Sequence, residues 1–266
     1  MTEAVDFSEH VAAESARFGA AIRQAAPDAR VPSCPDWNAD DLLWHLAQVQ
    51  YFWGTVVLEK LDGDEAEKLT PERPGDRAGL LEFYQRASER LVRALTGADP
   101  QAHAWTWAED QTVGFIQRRQ AHEALIHRVD AELTAGQRTP IDRALAVDGV
   151  SETLRVMYGG CPSWGTITPQ PERGTIRIRT TDTGDTWLVT LARFTGTDPG
   201  DGKSYDEPDI HIAETDPGSA ASAEISGSAG DLDCWMWHRD PAGPVERSGD
   251  PGALDGFAAA VKQGIN

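Results

Sequence analysis

The sequence predicts an α+β protein in which an N-terminal four-helix bundle precedes a smaller domain with a mainly antiparallel sheet. Apolar residues recur at helical spacing over four segments of the first half, separated by loops rich in Pro, Gly and acidic residues. After about residue 143 the pattern changes to runs in which apolar and polar residues alternate, as in half-buried strands. The predicted domains are therefore 1–142 and 143–266.

Each helix of the first domain has local start or stop signals. Pro27 ends the first helix, and Asn38 is the predicted N-cap of the second, with Asp41 completing a capping box. Gly136 and Pro140 close the fourth helix. The predicted helices cover 6–26, 39–61, 77–96 and 113–134, and the predicted loops are 31–37, 62–76 and 97–112. Helices joined in this way form a bundle.

The second domain combines strands with shorter helices. Ile176 and Ile178, and then Trp187 and Val189, alternate with polar residues, and Gly184 between these two runs predicts a hairpin turn. The predicted strands are 174–180, 186–194, 209–214 and 221–226, and the predicted helices are 145–158, 229–239 and 251–263. The polar, Gly-rich segment 196–207 is predicted to be a mobile loop.

The charge balance argues against two classes of partner. The chain has 24 basic and 43 acidic side chains, which give a formal net charge of −19. Such a surface repels phosphate backbones and anionic lipids, so we expect neither a nucleic acid nor a membrane partner. A small ligand with little net charge suits the composition better.

The cysteine count indicates a cytoplasmic location. Cys34, Cys161 and Cys234 are odd in number and widely spaced, which does not suit a disulfide framework and favours a reducing compartment. The acidic segment 1–9 lacks the basic and apolar pattern of a signal peptide.

The fourth helix carries the main candidate for chemistry. Glu123 and His127 stand four residues apart and therefore share one helix face, where a carboxylate and an imidazole can bind one metal ion. His45, in the middle of the second helix among leucines, could reach the same ion inside a bundle. The alternative is that Glu123 and His127 are solvated neighbours on an exposed helix. His122 lies about 100° around the helix from Glu123 and is predicted not to be a ligand.

Four phrases of the sequence resemble the mycothiol-dependent maleylpyruvate isomerase family. They are VPSCPDWNADDLLWHLAQVQYFW, WTWAEDQTVGFIQRRQAHEALIHRVDAE, ISGSAGDLDCWMWHRD and VERSGDPGALDGF. The resemblance implies a DinB-like four-helix bundle joined to a smaller α/β domain. It also implies a divalent metal, usually zinc, held by His45, Glu123 and His127, and mycothiol as the thiol cofactor.

This ligand set suits thiol chemistry. Two imidazoles and one carboxylate leave a coordination position open, which is typical of catalytic zinc. A thiol entering that position becomes a thiolate at neutral pH. The thiolate could add to a double bond and leave again, which gives isomerisation, or it could stay attached to a small electrophile, which gives S-transfer. The sequence leaves both outcomes open.

Further residues are predicted around this centre. Arg119 could pair with Glu123, and Asp130 could accept the N–H of His127, although both pairs could instead be ordinary surface ion pairs. Trp53, Trp105 and Trp107 could line the ligand cleft, or they could belong to the core. Trp53 and Arg119 are the predicted cofactor-binding residues. The resemblance implies a catalytic arginine in the second domain, for which Arg239 is the approximate match. The alternative for Arg239 is an arginine at the end of a helix.

Three functions are compatible with these observations. The first is a metal- and mycothiol-dependent isomerase or S-transferase acting on a small electrophile. The second is a non-catalytic module that binds a metal or another ligand. The third is a helical interaction protein without a metal.

Overall fold

The computed structural model describes residues 5–212 and 220–262. The chain divides into two compact units, Met1–Thr139 and Pro140–Asn266. No helix among the described residues is long and apolar enough to cross a membrane.

The first unit is mainly helical, as predicted. Its elements are α1 (Phe7–Ile22), β1 (Arg30–Val31), β2 (Cys34–Asn38), α2 (Ala39–Glu59), α3 (Gly63–Glu67), α4 (Arg77–Leu95) and α5 (Val113–Thr134). Among the four long helices, α1 and α2 each pack against both α4 and α5. The largest apolar core lies between α1, α2 and α4, around side chains such as Phe18, Leu42 and Phe83.

Local capping explains why the long helices begin where they do. The side chain of Asn38 accepts the backbone N–H groups of Asp40 and Asp41, and the carboxylate of Asp41 accepts the N–H of Asn38. The predicted capping box is therefore confirmed. Thr112 caps α5 in a similar way, and the bounds of α5 agree with the predicted 113–134.

Two of the predicted loops contain regular structure. The segment 31–37 lies largely in a two-stranded antiparallel pair, in which Val31 faces Cys34. The acidic segment 62–76 contains the short helix α3, which Asp62 and Glu65 cap reciprocally. The Pro- and acid-rich composition of these segments indicated loops. However, the short β1–β2 strand pair and the single capped turn of α3 order the backbone locally.

Helix α5 is buried on all sides although it is rich in charged residues. Its buried polar side chains include Arg119, Glu123, His127, Arg128 and Asp130. Ions buried in a protein interior are costly unless they are paired or bind a metal. The charged groups of the buried helix α5 must therefore form ion pairs and hydrogen bonds with one another, or bind a ligand.

The second unit is a mixed sheet with helices. Its elements are α6 (Arg143–Glu152), a π-helix (Thr153–Tyr158), β3 (Gly165–Pro169), a 3-10 turn (Pro171–Arg173), β4 (Thr175–Thr180), β5 (Thr186–Thr197), β6 (Ser204–Ile212), β7 (Ala223–Gly227), α7 (Ala229–Met236), β8 (Glu246–Gly249) and α8 (Pro251–Ala260). In the sheet, β5 pairs with β3, β4 and β6, β4 also pairs with β7, and β7 pairs with β8. All pairs are antiparallel except β4–β7. The predicted mainly antiparallel sheet is confirmed.

The predicted bounds of the loop at 196–207 are wrong, because the connection between the strands covers only residues 198–203. Strand β5 continues to Thr197, and β6 begins at Ser204, so that these two residues face each other across a short turn. The polar and Gly-rich composition suggested a loop, but the pairing along β5 extends both strands through it. Residues 213–214 of the predicted strand 209–214 lie outside the described residues, as does residue 263 at the end of the last predicted helix. Strands β3 and β8 had no counterpart in the prediction.

Candidate metal centre

The structure brings His45, Glu123 and His127 together in the first unit. His45 comes from α2, and the other two side chains come from successive turns of α5. One ligand atom of each lies within 4.8 Å of the others. Glu123 Oε1 is 3.3 Å from His45 Nε2 and 3.2 Å from His127 Nε2. Two imidazole nitrogens and one carboxylate oxygen therefore converge on a common point.

These distances suit a divalent cation. Zinc binds nitrogen and oxygen ligands at about 2.0–2.1 Å, so two ligands of a tetrahedral ion lie roughly 3.3 Å apart. Hydrogen bonds to a carboxylate from charged nitrogen are shorter, at about 2.7–2.9 Å. The two distances from Glu123 Oε1 to the imidazole nitrogens thus match the separation of two ligands around one ion.

Asp130 and Ser33 fix the orientation of His127. Nδ1 of His127 lies 2.9 Å from Asp130 Oδ2, and the hydroxyl of Ser33 donates to the other oxygen of Asp130. Nε2 of His127 is buried and makes no hydrogen bond to any described residue. With its Nδ1–H held by a carboxylate, the imidazole presents Nε2 as a ligand atom, which is the usual arrangement of a metal-binding histidine.

Burial and charge oppose each other at Glu123 and His127. Burial raises the pKa of Glu123, but the adjacent His127 outweighs it and holds that pKa well below its usual range. Burial lowers the pKa of His127, but the charge of Glu123 and the bond to Asp130 raise it to about 9. At neutral pH a proton on His127 and a cation at this point therefore compete for the same imidazole.

Arg119 and Trp37 complete the surroundings. Nη2 of Arg119 lies 3.2 Å from Glu123 Oε2, so Oε1 is the carboxylate oxygen directed at the imidazoles. The Trp37 ring packs against both imidazoles, with centroid distances of 4.8 Å to His45 and 6.4 Å to His127. The sequence placed Trp37 only at the end of the predicted loop 31–37. Trp37 lies close to the site because β1 and β2 pair with each other, and no local sequence pattern predicted that pairing.

Other predicted residues lie elsewhere in the two units. Trp53 is buried and stacks on Trp105 at a centroid distance of 6.0 Å. Arg239, in the second unit, is also buried and donates to the carbonyl of Trp237. The roles of Trp53 in cofactor binding and of Arg239 in catalysis stay predictions. His122 packs edge-on against Phe7, at a centroid distance of 6.1 Å.

Comparisons with known proteins cover both units. Residues 8–132 match the family model described as the mycothiol maleylpyruvate isomerase N-terminal domain, and residues 144–256 match the model of the corresponding C-terminal domain. No curated protein sequence matches the chain significantly.

Two solved structures have a similar fold. A crystal structure of the mycothiol-dependent maleylpyruvate isomerase superposes with a TM-score of 0.53 at 12% sequence identity. A histidine-to-alanine mutant of that enzyme superposes with a TM-score of 0.52 at 11% identity. Each alignment covers 92% of this chain and 92% of the other. The family models and the shared fold agree over both halves, and the chain therefore belongs to the mycothiol maleylpyruvate isomerase family.

Proposed function

We propose that this protein is a metal-dependent enzyme that uses mycothiol to attack a small electrophile, either isomerising it or forming an S-conjugate. The observation that carries this proposal is the convergence of His45, Glu123 and His127 on one point, with three protein ligands rather than the four of a closed structural site. Family membership supports the thiol and the isomerase chemistry. We also propose a cytoplasmic location, since Cys34, Cys161 and Cys234 form no disulfide.

The side chains of the site have distinct tasks in this proposal. His45, Glu123 and His127 would hold a divalent cation, for which zinc is our proposal, and such a cation would lower the pKa of a thiol so that the thiolate is available at neutral pH. Asp130 keeps the proton of His127 on Nδ1, and Arg119 holds Glu123 in place and balances part of its charge. We assign Arg119 and Trp53 to binding of the thiol cofactor and Arg239 to recognition of the substrate.

A turnover assay with controlled thiols tests the function. Purified protein is analysed for metal and then mixed with maleylpyruvate, other conjugated cis-alkenes and simple alkylating agents, with mycothiol, with glutathione or without thiol. We expect about one equivalent of metal, and product only when mycothiol is present. Recovery of free thiol with an isomerised product indicates an isomerase, whereas consumption of thiol indicates S-transfer. Metal without turnover of any compound would favour a non-catalytic binding module, and absence of bound metal would contradict the proposal.

Replacing Asp130 with asparagine is expected to weaken metal binding by about 10- to 100-fold, as loss of an acceptor behind a ligating histidine does. The amide lacks the negative charge that holds the Nδ1–H of His127, and its NH₂ group can no longer accept from Ser33. A competition titration with a chromophoric chelator measures the affinity. Glu82→Gln, at an exposed carboxylate of α4, is the matched control. Unchanged affinity in Asp130→Asn would show that Asp130 does not orient the ligand.

Metal affinity is also expected to increase with pH. Since the pKa of His127 is raised to about 9 without a metal, binding at neutral pH must displace a proton from this residue. One displaced proton makes the apparent affinity rise about tenfold for each pH unit between about pH 6 and 8. The same chelator competition, repeated across this range in a non-coordinating buffer, measures the slope. An affinity independent of pH would mean that His127 binds no proton that the metal must replace.

A further inference from the structure

A pocket of about 260 Å³ in the second unit has a wall of three aromatic rings. Trp164 precedes β3, Phe194 lies on β5 and Tyr205 lies on β6. The ring centroid of Trp164 is 5.5 Å from that of Phe194 and 5.7 Å from that of Tyr205, and the latter two are 6.4 Å apart. All three rings are only partly buried, so part of their surface is open to a ligand.

Two glycines hold this aromatic wall in place. Gly165 on β3 pairs with Gly196 on β5, and Gly196 pairs with Tyr205 on its other side. A Cβ atom on Gly165 would lie 2.1 Å from Phe194 Cε2, and one on Gly196 would lie 2.9 Å from Trp164 Cε3. The rings therefore rest directly on bare backbone. A larger residue at either position would therefore displace the rings.

Carboxylates lie beside the rings. Tyr205, Glu207 and Asp209 alternate along β6 and so project from the same face, and Glu207 stands opposite Phe194 in register. Burial raises the pKa of Asp209 to about 6, and the nearby charge of Glu207 adds to the effect. Among the described residues that line the pocket, none is Lys or Arg. The residues that line the pocket thus combine aromatic faces with carboxylates.

Two further features point to ligand binding. The ammonium group of Lys203, which does not line the pocket, lies 4.4 Å from the centroid of the Tyr205 ring, so this ring already attracts a cation. Met157 and Tyr158 also line the pocket, and both belong to the π-helix Thr153–Tyr158. Single π-turns of this kind occur frequently at functional sites.

We infer that this pocket binds a small alkylated ammonium ion, with its alkyl groups against Trp164, Phe194 and Tyr205 and its charge near Glu207 and Asp209. Rings attract such cations through their electron-rich faces, and carboxylates supply the opposite charge. The modest volume suits a small cation rather than a large ligand. Binding of such a cation involves neither the thiol nor the metal of the proposed function. It can therefore be tested by a binding measurement that does not depend on enzyme activity.

A binding experiment with choline and its uncharged isostere, in which a tert-butyl group replaces trimethylammonium, tests the inference. The isotope-labelled full-length protein is titrated with each compound at matched ionic strength, and the amide and indole resonances are followed by NMR. We expect saturable shifts at the Trp164 indole and along β5 and β6, with choline binding on the order of tenfold more tightly than the isostere. Equal binding of the two compounds, or shifts elsewhere only, would overturn the inference.

Two variants with matched controls sharpen the test. Asp209→Asn removes charge at constant size, and Trp164→Ala removes one ring, so each is expected to weaken choline binding by about tenfold. Asp206→Asn, on the opposite face of β6, and Trp107→Ala, at an exposed tryptophan of the first unit, are expected to leave it unchanged. If Trp164→Ala does not fold, the choline affinity of Asp209→Asn alone tests the inference. Unaltered affinity in a folded Asp209→Asn protein would contradict the assigned position of the cation.

Discussion

Replacing His127 with alanine is expected to remove the bound metal and to reduce thiol-dependent turnover by more than about 10³-fold, since loss of a ligand exceeds the 10- to 100-fold effect of losing the group behind it. His127 is completely buried, and its Nε2 is directed at the point shared with His45 and Glu123. Alanine leaves only His45 and Glu123 of the three proposed ligands, which are too few to hold the ion firmly.

Metal content and turnover are measured on the same preparation. His10→Ala, on α1, is the control for loss of a histidine, and it is expected to keep both metal and activity. Far-UV circular dichroism checks that the His127→Ala protein is folded. A folded variant that retains a full equivalent of metal would show that the ion lies elsewhere, and one that loses the metal but keeps turnover would show that the reaction does not need it.

Replacing Arg128 with methionine is expected to destabilise the fold by about 3–5 kcal/mol, the cost of leaving buried charges without their partner. The Arg128 side chain has no exposed surface, and it lies 2.7 Å from Glu14 and 3.0 Å from Glu132. It also donates to the carbonyl and the hydroxyl of Thr139. Methionine fills similar space but removes this buried cation from both carboxylates, which then keep the partly exposed Arg17 at 2.8 Å from Glu14 and 3.8 Å from Glu132.

Urea unfolding monitored by fluorescence measures the loss, with metal content held equal. The control is Arg86→Met, because Arg86 pairs with Glu82 on the surface of α4 and both side chains are more than half exposed. Loss of such a pair costs at most about 0.5 kcal/mol. Adding Glu14→Gln and Glu132→Gln to Arg128→Met is expected to recover part of the stability. Equal losses in Arg128→Met and Arg86→Met would mean that the buried ions contribute no more than a surface pair.

Local sequence patterns were sufficient to predict the long helices and the contact between Glu123 and His127 within α5. Asn38 and Asp41 cap α2 through residues that are neighbours in the chain, and the four-residue spacing of Glu123 and His127 alone places them on one helix face. The approach of His45 depends on the packing of α2 against α5, which spacing cannot specify. The resemblance to a family supplied that part of the prediction.

Contacts between distant segments explain what the sequence did not indicate. Ser33 reaches Asp130 across 97 positions of the chain, and Trp37 reaches the imidazoles from a strand of only five residues. The true extent of β6 depends on its pairing with β5, which outweighs a composition that favours a loop. Tyr205 and Glu207 of the aromatic pocket lie in this misjudged segment. A pattern within one segment carries no information about such cross-chain pairing.

Strand β6 also lies at an edge of the sheet, where another chain could pair with it. Among the described strands it pairs with β5 alone, so its outer edge presents backbone groups that could recruit a strand from another chain. Glu207 and Asp209 place two carboxylates on β6, Asp206 is paired with Arg193 of β5, and Pro208 has no N–H to offer. Two such edges would repel each other on approach. We therefore expect the carboxylates of β6 to disfavour edge-to-edge pairing of two copies at neutral pH, and acidification to weaken this effect.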